Sequence, residues 1–246
     1  MTLLLTGCQE QAPAPASERA QVGPAVVWAE PVADARAGMP NRGACHRLPA
    51  GLTGGSTDAA ATVPCSDPHT SVTYLSGVLP AEIEEAPQAW VAQRCSAALP
   101  EAAGLDVATM PAAFLEWVWL QPDQAQRDRG ARWFRCDVRS LAPAPAELPG
   151  AGLPVFRGDL PERWTRCVST EQGDEAAYVT CDQPHQFHWT ASVPVSGEQH
   201  PGNRAWEELA AAECRPLVGQ AAFWFTYPNQ AQWDAGDRRL SCYRAV

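Results

Sequence analysis

Along this chain the alternation of apolar and polar positions predicts one order of elements, and then predicts it again. Val72 to Leu79 has the β-branched and aromatic content of a strand, to which Thr73 and Tyr74 contribute. Glu82, Glu84 and Glu85 then precede Pro87, which places acids near the positive end of a helix beginning there. Within it Val91, Cys95 and Ala98 recur at i, i+4 and i+7, so Cys95 is expected to face inward. Phe114 to Leu120 reads as a buried strand. Phe134, Cys136 and Val138 alternate with Arg135, Asp137 and Arg139, the pattern of a half-exposed closing strand. The second half repeats the series, with strands over 177–181 and 187–195, a helix over 201–217 carrying Cys214 in its last turn, and strands over 223–227 and 240–243. The Gly-rich residues 50–57 are expected to form a loop.

The repetition is also legible letter by letter. Residues 121–136 and 227–242 align without a gap and agree at eight of sixteen positions. Among these are Pro122 and Pro228, which fix φ, and Gly130 and Gly236, which permit a positive φ, so a turn followed by a strand is expected. Upstream, Val63-Pro-Cys65-Ser-Asp-Pro68-His69 answers to Val179-Thr-Cys181-Asp-Gln-Pro184-His185. The fold class that follows is α+β: two homologous small modules, each a short antiparallel sheet with one main helix and two disulfides. Module 1 spans 40–141 and module 2 spans 155–246. A Pro-rich, semi-rigid linker, 142–154, joins them, and an Ala/Pro-rich tether, 9–39, precedes them. Within the tether, Ala25 to Trp28 is an apolar patch suited to a stray edge strand.

Cysteine usage adds the compartment. Eight of the nine cysteines fall four to a half, Cys45, Cys65, Cys95 and Cys136, then Cys167, Cys181, Cys214 and Cys242. No C-x-x-C occurs, so a disulfide framework outside a reducing cytoplasm is favoured over zinc or redox motifs. Four cysteines allow three connectivities. The expectation is first with second and third with fourth, because the helix and last-strand cysteines both point inward. The ninth, Cys8, closes Leu5-Thr6-Gly7-Cys8, which resembles a bacterial lipobox, although the apolar run before it is shorter than a secretory signal needs. Residues 1–8 are therefore read as a truncated lipoprotein signal, and Cys8 as the site of a membrane-anchoring lipid.

Charge and motif exclude more than they select. The net charge is −10 and every cation is Arg, a poor footing for nucleic acid or anionic lipid surfaces and one without lysine chemistry. No nucleophile elbow, zincin or phosphate-loop motif occurs, so no catalytic residue and no cofactor is expected. His69 and His185 are read as imidazoles of proline turns bonded to a nearby carbonyl or carboxylate. The rival readings for them are a binding surface or a metal site, to which His188 would add a second imidazole. Asp128 with Arg132, and Asp234 with Arg238, are expected to pair across a turn or to share a ligand surface. Core packing is the expectation for the tryptophans, Trp189 and Trp224 included. Trp233 is the exception, expected to be partly exposed on a contact surface.

The Val-x-Cys-x-x-Pro-His segments, the mid-module cysteine and Pro228-Asn-Gln-Ala-Gln-Trp233-Asp-Ala-Gly236-Asp-Arg238-Arg-Leu-Ser-Cys242 together resemble the actinobacterial septum-formation family. The likeness runs from about residue 40 to the C-terminus. It implies an envelope-associated role connected with division, a cell-envelope or cell-wall partner and no catalytic residues. The resulting expectation is a lipid-anchored, extracytoplasmic binding or scaffold protein. An envelope hydrolase or metal-binding protein using the Cys-x-x-Pro-His segments is the alternative.

Overall fold

The computed structural model describes residues 34–49, 51–57, 61–141, 146–170, 176–234 and 236–246. The readings of Cys8, of the signal-like start and of the Ala25 to Trp28 patch lie outside these residues. One compact unit spans Ala33–Val246. The architecture is α+β, two five-stranded sheets with few helices and four disulfides.

The first sheet is built from β1 (Cys45–His46), β2 (Ser56–Thr57), β3 (Ser71–Val78), β4 (Leu115–Gln121) and β5 (Trp133–Ser140), in the order β1-β3-β5-β4-β2. Its pairings are antiparallel except that β2 lies parallel to the C-terminal end of β4. So the Gly-rich stretch, expected to be only a loop, supplies an edge strand. Two helices intervene, α1 (Gln88–Ala103) and α2 (Gln124–Asp128). Helix α1 buries Val91, Cys95, Leu99 and Ala102 along one stripe, against Phe134, Cys136 and Val138 of β5.

The second sheet contains β6 (Arg166–Ser169), β7 (Ala177–Thr180), β8 (Phe187–Pro194), β9 (Phe223–Thr226) and β10 (Arg239–Ala245), ordered β7-β6-β8-β10-β9. Between its strands lie α3 (Asn203–Val218) and α4 (Gln230–Asp234). Helix α3 buries Trp206, Ala210, Cys214 and Val218, each four residues from the last, so a single apolar stripe faces Leu240 and Cys242. Leaving out β2 and β7, the strand order of one sheet is that of the other, β1-β3-β5-β4 against β6-β8-β10-β9.

Each sheet also carries a β-bulge at the corresponding place. In β3 the pairing with β5 skips Tyr74, and in β8 the pairing with β10 skips Thr190. Disulfides join Cys45 to Cys65, Cys95 to Cys136, Cys167 to Cys181 and Cys214 to Cys242. In each half one bridge ties the long helix to the central strand, and the other ties the first strand to the loop that ends in Pro-His.

Strand β5 departs from its expected half exposure. It is the middle strand of its sheet, and Arg135 and Asp137 are as buried as Phe134 and Cys136. The face away from α1 is covered by residues 47–49 and 51–57, whose Leu48 and Leu52 pack on Val118 and Leu120 and whose Leu52 carbonyl accepts from Arg139. Alternation of polar and apolar residues marks two different faces, but a polar face can be covered as well as a dry one.

The halves are also packed together. Leu148, Val155, Phe156 and Trp164 belong to the core beneath α1, and the Val155 and Phe156 amides donate to the carbonyls of Ala102 and Ala103. Gly104 closes α1 at φ 78°, and a Cβ there would stand 2.3 Å from the Phe156 carbonyl oxygen. Gly104→Ala is therefore expected to cost about 2 kcal/mol, from left-handed strain and the clash. Urea denaturation would check it, and an unchanged midpoint would refute the packing.

Candidate functional site

Three places gather polar or aromatic side chains. The first is the buried face of the first sheet. Arg135 Nη2 lies 3.2 Å from Asp137 Oδ2, and the Thr73 hydroxyl donates to Asp137 Oδ1 at 2.7 Å. Because that hydroxyl proton is committed, His46 Nε2–H donates to Thr73 Oγ1 at 2.9 Å. Ser71 adds a longer bond to Asp137, at 3.3 Å. A histidine, a hydroxyl and a carboxylate in contact suggest a nucleophile relay, but the order is wrong, since the hydroxyl stands between imidazole and acid rather than at the end. All three are fully buried, so substrate cannot reach them. The network is structural. Burial, and after it the Asp137 charge, raises the phenol of Tyr74 well above its ordinary range. A cleft of about 660 Å³ beside residues 38–45 and 61–65 has Arg135 in its lining, but that guanidinium is engaged by Asp137.

The second place is the pair of Cys-x-x-Pro-His corners. In both, the ring Nδ1–H donates to the carbonyl two residues earlier, His69 to Asp67 at 2.9 Å and His185 to Gln183 at 2.8 Å. The local turn dictates this bond, which is the same in each half. His69 is buried, so it forms no binding surface, and its Nε2 has no hydrogen-bond partner. His185 is half-buried beside its disulfide. Cys167, Cys181 and His185 bring three ligand atoms within 4.8 Å of one another, and so do Glu162, Cys181 and His188. Both sulfurs are consumed in a disulfide and are not thiolates, so this corner does not fit a metal ion while the bridge is closed.

The residues shared by the repeated turn are not brought together as expected. Asp128 accepts from Gln124 at 2.7 Å and Asp234 from Gln230 at 2.8 Å, while Arg132 lies 3.7 Å from Glu84. Arg238 lies 3.9 Å over the Trp233 ring and donates to the Trp233 carbonyl. The reason is that α2 and α4 are single helical turns. Each Asp meets the Gln four residues before it, and the positive-φ glycines, Gly130 and Gly236, then carry each Arg away. Trp233 is fully buried among Trp206 and His200, not a contact surface. The repeat itself is explained by two reciprocal capping boxes, Asp123 with Gln126 and Asn229 with Gln232. A D/N-x-x-Q spacing before each turn was the signal for them.

The third place, which the sequence did not single out, is the face of the second sheet away from α3. Cross-strand partners share a face, so the pairs Tyr243–Trp189, Tyr243–Trp224, Ser241–Ser192 and Ser241–Thr226 lie on it together. Skipping Thr190 is what brings Trp189 there, against the parity of the strand. Its Nε1–H donates to Ser192 at 3.4 Å, and Ser192 bonds Ser241 at 2.8 Å. Phe187 packs 5.9 Å from Trp224, and Arg166 lies 5.0 Å over Tyr178 while bonding the Ala113 carbonyl of the first half. Trp224 is 37 % exposed, Tyr178 is 39 % exposed and Trp189 is half-buried. Core packing does not account for these rings.

The polar network of the first sheet and this aromatic face occupy equivalent strand positions. Thr73 and Asp137 are cross-strand partners beside one bulge, and Trp189 and Tyr243 are partners beside the other. In the first sheet the chain covers these positions with its own residues. In the second, rings stand partly in solvent.

A family model described as septum formation matches residues 42–242, which takes in all four disulfides and all of both sheets except the last three residues of β10. No curated protein matches the chain, and no solved structure matches it.

Proposed function

This chain belongs to the septum-formation family, and from that premise we propose that it is a lipid-tethered, extracytoplasmic protein of the cell envelope that works by binding and not by turnover. The observation that carries this reading is the partly exposed aromatic face of the second sheet, a surface that neither core nor neighbouring strand consumes. Support also comes from the four disulfides, which suit an oxidising compartment. Among the described residues, the histidine, hydroxyl and carboxylate that do meet are sealed from solvent. In this reading the tether is a lipid on Cys8, as the lipobox-like Leu5-Thr6-Gly7-Cys8 suggests; no helix among the described residues is long and apolar enough to cross a membrane.

A second reading is favoured by one observation, the proximity of Cys167, Cys181, His185 and His188. In it the bridge is open and the corner holds zinc. Intact-mass counting of blocked thiols, with metal analysis of protein isolated from membranes, separates the two. The expected result is eight cysteines in disulfides, no stoichiometric metal and recovery in the membrane fraction. Free Cys167 and Cys181 with one bound zinc would overturn the first reading in favour of the second.

A further inference from the structure

We infer that the aromatic face of the second sheet binds a neutral saccharide chain, with Trp224 and Trp189 stacking on sugar rings and Ser192 and Thr226 exchanging hydrogen bonds with sugar hydroxyls. This rests on the binding reading above and names its ligand class. The face alternates large flat rings with hydroxyls, which is the chemistry of a sugar turned inside out, since a pyranose presents apolar C–H faces and a polar hydroxyl edge.

Charge narrows the occupant. By strand parity two cations share this face and both are engaged, Arg166 by Tyr178 and the Ala113 carbonyl and Arg239 by Asp237 at 2.8 Å. A neutral ligand meets no uncompensated charge there. An anionic membrane or nucleic acid is opposed by the net charge of −10.

Tyr243, at the middle of the sheet, is fully buried with Thr226 and Tyr178 at its hydroxyl, so the rings a ligand can reach are Trp224, Tyr178 and Trp189. The second half also has less chain with which to cover the face, since its first two cysteines are 14 residues apart where those of the first half are 20 apart.

The test is calorimetric titration of the full chain with neutral tetrasaccharides of the chito-, cello-, manno- and galacto-series, followed by tryptophan fluorescence. At least one series is expected to bind. Trp224→Ala should weaken it by about tenfold and the Trp189→Ala, Trp224→Ala double variant should abolish it, while Trp224→Tyr retains part and Trp90→Ala, on α1, retains all. Unchanged far-UV circular dichroism and an unchanged denaturant midpoint certify the fold of each variant. Binding by no series, or binding that survives the double variant, overturns the inference. If the double variant instead loses a crosslinked envelope protein while no sugar binds, the face is a protein interface: the saccharide falls and the binding reading stands. Cleavage of any of these saccharides would sink the binding reading itself.

Discussion

Replacing Cys95 and Cys136 together by alanine is expected to lower stability by about 4 kcal/mol, the largest loss from removing any one bridge. The two residues are 41 apart in sequence, the longest of the four separations, and closing a loop of that length removes about 4 kcal/mol of chain entropy from the unfolded state. Both residues are fully buried where α1 meets β5, so the substitution also leaves a small void between helix and sheet. The Cys167–Cys181 bridge closes only 14 residues and Cys181 is half-buried, so its removal should cost about 3 kcal/mol at most. Because whole domains are stable by only about 5–15 kcal/mol, the first pair spans much of the available margin. Denaturant melts of the two double variants under oxidising conditions give the comparison. An equal or reversed ranking would show that local strain, and not loop length, governs these bridges.

Asp137→Ala is expected to cost about 3–5 kcal/mol, close to the same scale for a quite different reason. The carboxylate is fully buried, accepts from Thr73 and Ser71 and lies 3.2 Å from the guanidinium of Arg135, which is 1 % exposed. Removing one partner of a buried pair leaves a charge that water cannot reach, which costs far more than the pair itself contributes. Glu101→Ala provides the contrast. Its ion pair with Arg42, at 2.8 Å, has both side chains more than half exposed and should change stability by less than about 1 kcal/mol. Urea midpoints for the two variants check this, and an Asp137→Ala loss within about 1 kcal/mol would mean that solvent enters the network.

The helices, the central strands and the cysteine pattern were legible because each depends on local spacing. Val91 and Cys95 fall on one helical face whatever surrounds them, and a helix cysteine facing inward finds the cysteine of the strand below it. The site was much less legible. Arg135 and Asp137 alternate with apolar residues as a solvent-facing row would, and chain from elsewhere, Leu48 and Leu52 among it, makes that face an interior. Asp128 and Arg132 have the spacing of a helical pair, but a positive-φ glycine stands between them. Core packing is the expectation for Trp189 because it sits in a strand-like run, and the skipped Thr190 turns it to the face away from α3. Each error came from a single residue of backbone irregularity or from chain arriving from elsewhere, neither of which periodicity records.

Phe156 and Trp164 meet edge to face, 5.9 Å apart, inside the core beneath α1, although both follow the proline-rich stretch between the two repeats. There is consequently no position in that stretch at which scissors would leave two intact pieces. A fragment ending at Leu141 would lack a wall, and one beginning at Val155 would display the missing wall to water. Heating should accordingly melt both sheets in one calorimetric peak, and a protease that nicks residues 142–145 should leave the pieces associated.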